Sequence, residues 1–104
     1  MPQVVIDNSK GLHQKSGTGF VSSVTDHGAQ SSGAVTLTVG EMVNLYQANA
    51  STTDVTVATT NATTGQIVIF ANTSANSSTV NGKTVAGGTA ALLVYDGSAW
   101  IELA

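Results

Sequence analysis

The chain has no cysteine and no arginine, and its 104 residues include one proline, one tryptophan and only 9% charged side chains. Each shortage removes a class of function. Without cysteine there are no disulfides, no thiolate nucleophile and no zinc–thiolate site, so stability has to come from packing and assembly. Lysines alone supply the cations, three against six carboxylates, for a formal net charge of −3. No basic cluster is available to displace counterions from phosphates, and nucleic acid is not an expected partner. No apolar run approaches the roughly 20 residues of a membrane span, so no membrane partner is expected. The opening MPQVVIDNSKG lacks the basic start and long apolar middle of a secretory leader, which makes a cytoplasm the expected place of synthesis.

The residues that are plentiful are small, polar and uncharged: Ser, Thr, Asn and Gly, beside a 41% hydrophobic share. Soluble monomers usually carry about a quarter charged residues. A surface this poor in charge points to shielding by further copies of the chain or by a partner, and a homo-oligomer, most simply a trimer, is expected.

Two regions differ. Residues 1–33 hold Lys10 and Lys15 against Asp7 and Asp26, whereas 34–104 hold Lys83 against Glu41, Asp54, Asp96 and Glu102. The stretch SSVTDHGAQSSG (22–33) is rich in turn formers and reads as the boundary. Beyond it, short stretches rich in Val, Ile and Thr recur between Gly, Asn, Ser and Asp, which is the spacing of an all-β domain. AVTLTV (34–39) and DVTVAT (54–59) alternate apolar with polar, MVNLYQ (42–47) follows a Gly40 break, and QIVIFAN (66–72) is a continuous apolar run suited to a central strand. Asn81-Gly82 between β-formers predicts a two-residue hairpin turn. Asp96-Gly97 joins two further strands within 89–104. The expected fold is a small β-sandwich or jelly roll of about seven short antiparallel strands over 34–104, preceded by an extended N-terminal arm over 1–33.

No enzyme site, cofactor site or metal site emerges. SGTGF (16–20) lacks the third glycine, helix and distant acid of a dinucleotide loop. His13 and His27, the two imidazoles, have no cluster of further ligands around them in sequence. The carboxylates fall at expected turns and strand ends. Four N-x-[ST] triplets, at Asn49, Asn61, Asn72 and Asn76, are glycosylation signals only in a secreted eukaryotic chain. Trp100, with Tyr95 and Phe70, is expected in the core or in a subunit contact.

The segment TTGQIVIFANTSANSSTVNGKTVAGGTAALLVYDGSAW resembles the β-structured modules of tailed-bacteriophage virions, found in head and tail fibres and in capsid decoration proteins. The resembling features are the Gly-Gln-Ile-Val strand, an Asn-rich loop, Val-Asn-Gly, a Gly-rich segment before ALLVYDG, and the closing SAW, covering roughly residues 64–104. NSKGLHQKSGTGF is similar to the leaders of small phage structural proteins, and a small β-domain with an arm is similar to cement proteins. The resemblance implies a non-enzymatic protein on the capsid exterior that binds the major capsid protein. Its arm would dock through Val4, Val5, Ile6, Leu12 and Phe20, with Lys10 and Lys15 facing acidic surface. The alternative is a fibre-tip or baseplate module that recognises host-surface glycan through Trp100, Tyr95 or the Asn-rich loops; a glycan depolymerase ranks third.

Overall fold

The computed structural model describes residues 3–7, 11–16 and 21–103, with side chains from residue 21 onward. Eleven strands and no helix make up the described chain. β1 (Gln3–Asp7) and β2 (Gly11–Ser16) pair antiparallel as a two-stranded sheet. The remaining strands are β3 (Val24–Gln30), β4 (Gly33–Leu37), β5 (Val43–Ala48), β6 (Thr53–Val57), β7 (Ile67–Asn72), β8 (Ser78–Val80), β9 (Lys83–Val85), β10 (Ala90–Tyr95) and β11 (Trp100–Glu102). They form a five-stranded sheet, in order β11-β10-β7-β5-β3, and a four-stranded sheet, in order β4-β6-β8-β9.

The path between the sheets corrects the expected antiparallel sandwich or jelly roll. From β3 to β8 the chain changes sheet at every step, so β3, β5 and β7 run parallel in one sheet while β4, β6 and β8 run parallel in the other. The result is a short coil of three two-strand turns. Only then does it reverse: β9 pairs antiparallel with β8, β10 with β7, and β11 with β10.

The corners explain why these turns do not fold back as hairpins. Each corner bonds to the next one along the coil: Asn49 N–H donates to Gln30 O at 3.1 Å, Gly33 N–H to Thr52 O at 3.1 Å, and Thr73 N–H to Tyr46 O at 2.9 Å. Side chains extend the ladder where the backbone turns away, with Asn76 Nδ2 donating to Ala48 O and Thr53 Oγ1 to Ser31 O. These bonds pair corner backbone groups that the strand ladders leave over.

Residues 24–30 require a second correction. They are not part of an extended arm, because β3 is the edge strand of the five-stranded sheet, parallel to β5. A bulge between Asp26 and Ala29, with Gly28 at φ 76°, breaks its register.

The core lies between the two sheets. Tyr46, Val68, Phe70, Ala91, Leu93 and Trp100 come from the five-stranded side, and Leu37, Val55, Val57, Val80 and Val85 from the four-stranded side. Alternation puts them there: β6 reads buried at Thr53, Val55 and Val57 and exposed at Asp54 and Thr56. The Asn81-Gly82 turn forms as its sequence predicts, with φ of 49° and 86° joining Val80 to Lys83. Its asparagine also extends the parallel ladder, donating N–H to Val55 O and accepting from Val57 N–H through Oδ1, at 2.8 and 2.9 Å.

Candidate interaction surface

The outer faces of the two sheets have opposite chemistry. On the four-stranded sheet the outward positions are Ala34, Thr36, Asp54, Thr56, Thr79 and Thr84, and Thr79 Oγ1 donates to Asp54 Oδ1 at 2.6 Å. Apart from Ala34 that face is polar, with hydroxyl and carboxylate groups open to water.

The five-stranded sheet presents aliphatic rows instead. Strand register aligns Val24, Val43, Ile69 and Leu92 across four strands, and Leu103 continues the row by donating its N–H to Leu92 O at 2.7 Å. A second row joins Ile67, Val94 and Ile101, and a third joins Leu45, Ala71 and Ala90. Val24, Met42, Ile67, Ile101 and Leu103 are each about half exposed, between 45% and 54%. The one charged side chain in these rows is Asp26, beside Leu45 at the β3 margin.

The sequence carried a signal for this face. Ile67 to Ala71 and Ala90 to Val94 are apolar at every position, whereas β4 and β6 alternate. An unbroken run marks a strand with both sides apolar. Reading it as a buried central strand accounts for Val68, Phe70, Ala91 and Leu93, and leaves the other side uncovered.

The residues expected in the core or a contact lie together on the inner side. Phe70 is fully buried, Trp100 is 5% exposed, and Tyr95 is half-buried with its ring 5.1 Å from the indole. Trp100 Nε1 donates to Ala58 O at 3.0 Å. An indole covered in this way has no free face for a sugar ring. Of the expected docking residues, Val4, Val5 and Ile6 are on β1, and Leu12 and Lys15 on β2, with Ile6 opposite Leu12. Lys10 and Phe20 lie outside the described residues.

His27 is a packing residue. Its ring stacks on Phe70 at 5.9 Å and 12°, and Nε2 lies 3.1 Å from Asn44 Oδ1, which also accepts from Gly40 N–H. The amide oxygen can only accept, so Nε2 carries the proton. Among the described residues, no three His, Asp or Glu side chains gather to hold a metal ion. Every buried side-chain nitrogen and oxygen among them has a hydrogen-bond partner.

Two titrations are displaced from their ordinary values. Burial pushes the Tyr46 phenol up, partly offset by its hydrogen bond with Ser78. The N–H groups of Ala99 and then Ser98 hold the exposed Asp96 carboxyl down. Both belong to structural contacts, one across the core and one in the β10–β11 turn.

Comparison with known proteins adds no relative: no family model, curated sequence or solved structure matches the chain.

Proposed function

We propose that this is a non-enzymatic structural protein of a phage virion, a decoration or cement protein that binds the major capsid protein on the capsid exterior and stabilises the shell. The observation that carries this reading is the aliphatic outer face of the five-stranded sheet, since an exposed apolar face with Asp26 alone charged at its margin marks a macromolecular contact surface. The resemblance of residues 64–104 to virion modules supplies the setting. Within this reading the protein acts as a homo-oligomer, and the segment 1–20 docks it. Leu12 and Phe20 matter more than Lys10 and Lys15, because burying a large apolar side chain contributes about 1.5–3 kcal/mol while an exposed ion pair contributes under about 1 kcal/mol.

The test is co-sedimentation with capsids of the parent phage. The full chain is expected to pellet with them and a chain lacking residues 1–20 to stay in solution; that deletion spares β3. Retention of the shortened chain at full occupancy removes the docking role of the segment. Binding to host-surface glycan without affinity for capsids replaces the whole reading with host recognition.

A further inference from the structure

We infer that the outer face of the five-stranded sheet is where copies of this chain pack on one another, closing an oligomer around β7. The inference rests on the reading of the protein as an assembling structural component and names the partner of its apolar face.

Size is the first ground. Strands about 4.8 Å apart and residues rising about 3.3 Å give five strands of about six residues a face on the order of 450 Å² in plan. Two such faces remove on the order of 900 Å², more once side-chain relief is counted, which reaches the roughly 1,000 Å² that separates a biological interface from a chance contact. The same face left bare has the size of the largest apolar patch on a typical monomer, about 300–600 Å², and such patches are often functional.

Chemistry is the second ground. The centre of the face is Ile67, Ile69 and Leu92, with no hydrogen-bonding side chain among them, so a matching surface has to be equally apolar and equally flat. A second copy supplies that surface by construction, and pairing removes both faces from water at once. An anionic bilayer is a poor occupant, because the net charge is −3 and Lys83 lies on the other sheet.

Edges are the third ground. The five-stranded sheet ends at β3, whose ladder is broken by the bulge at Asp26–Ala29, and at β11, which is three residues long. Bulges and short strands discourage edge-to-edge pairing. Association is therefore directed to the face, and a face that closes on its own kind limits the copy number. β7 is the middle strand and Ile69 its middle outward residue, so Ile69 of each copy lies closest to the symmetry axis.

The absence of cysteine makes the test clean. The wild-type chain is expected to run as a closed oligomer of two or three copies in light scattering at micromolar concentration. Ile69→Cys is expected to form an interchain disulfide on mild oxidation, whereas Thr56→Cys on the opposite sheet is expected to form none beyond collisional background. Ile69→Glu should raise the dissociation constant about 30-fold or more, the scale of a hot-spot residue, while keeping the β-sheet circular dichroism signal. A monomeric wild type, an open-ended aggregate, or equal cross-linking at positions 69 and 56 overturns the inference, and the cross-linking comparison decides the matter even if Ile69→Glu fails to fold. A closed oligomer that ignores capsids would keep this inference and remove the capsid reading; a monomer that binds them would do the reverse.

Discussion

The Tyr46 hydroxyl lies 2.6 Å from Ser78 Oγ, a bond that spans the core from β5 in one sheet to β8 in the other. Ser78 Oγ also lies 3.4 Å from Val85 O, so the chain of contacts continues onto β9. Tyr46→Phe is expected to cost about 1 kcal/mol, and Ser78→Ala about 1–3 kcal/mol because it leaves a buried phenol without a partner. The double variant should cost less than the two together, in urea unfolding monitored by fluorescence. Burial raises the folded-state pKa of Tyr46. Its contribution is therefore complete below the ordinary phenol value and is lost as pH rises through the raised one, which an absorbance titration of the phenolate would show.

Asn72 is the second polar anchor, 1% exposed at the end of β7. Its amide donates to Asn76 O at 2.6 Å, and its oxygen accepts from the N–H and the hydroxyl of Ser74, at 3.0 and 2.7 Å. Asn72→Ala should cost about 2–3 kcal/mol by unsatisfying the 73–77 corner. Asn72→Asp should be worse at neutral pH than at acid pH, since a carboxylate there would face the carbonyl of Asn76. Melting curves at two pH values distinguish the cases. In the folded chain the Asn72 amide of the N-x-S triplet is buried and occupied.

Much of the fold was legible where it depends on local chemistry. Asn81-Gly82 and Asp96-Gly97 marked turns through their own backbone preferences, and Val35, Leu37, Val55 and Val57 marked one face through alternation. The direction of pairing was not legible. Alternation has the same period in parallel and antiparallel strands, and what decides between them is whether a corner bonds back to its own sheet or to the previous corner, as Asn49 does to Gln30. β3 escaped because TDHGAQ has almost no apolar signal; it is held by β5, by the bulge and by the stacking of His27 on Phe70. The interaction face was half legible, in the unbroken runs at 67–71 and 90–94.

Two glycines should respond differently to alanine. A Cβ on Gly87 would sit 2.6 Å from the backbone of Ala75 and 2.7 Å from Ser74 O, so the corner has to move, and Gly87→Ala should cost about 1–3 kcal/mol. Gly82 has open space around it but φ of +86°, so Gly82→Ala should cost about 1–2 kcal/mol through backbone strain alone. Adding Asn76→Ala should change the first cost, because Asn76 lies in the displaced corner, and leave the second unchanged. Unfolding midpoints of the double variants read this coupling directly.

Asp96 gives a pH signature confined to one turn. Its Oδ1 accepts from Ser98 N–H and Ala99 N–H, both at 2.8 Å, and these bonds lower its folded-state pKa. The stabilisation is present above the ordinary carboxyl value and disappears as pH falls through the lowered one. An NMR titration should find the Asp96 midpoint below that of a free aspartate, and Asp96→Ala should speed amide exchange at Ser98 and Ala99. An ordinary midpoint would mean that the turn does not hold in solution.

The change from parallel coil to antiparallel return gives the fold two unlike ends and therefore a direction of growth. At one end β9 closes one sheet beside β8, and β10 and β11 close the other beside β7; at the other end β3 and β4 are the edge strands of the first turn. Bringing Leu37 beside Val57, or Val43 beside Ile69, closes only a modest loop, and loop entropy rises slowly with length. Turns can thus be laid down one upon the last, as in repeat proteins. Lengthening by duplication is compatible with the parallel coil only on the β3–β4 side and only with the bulge at Asp26–Ala29 straightened, so a longer version of this fold would acquire its extra turns N-terminally, lose that bulge and keep the 78–103 closure unchanged.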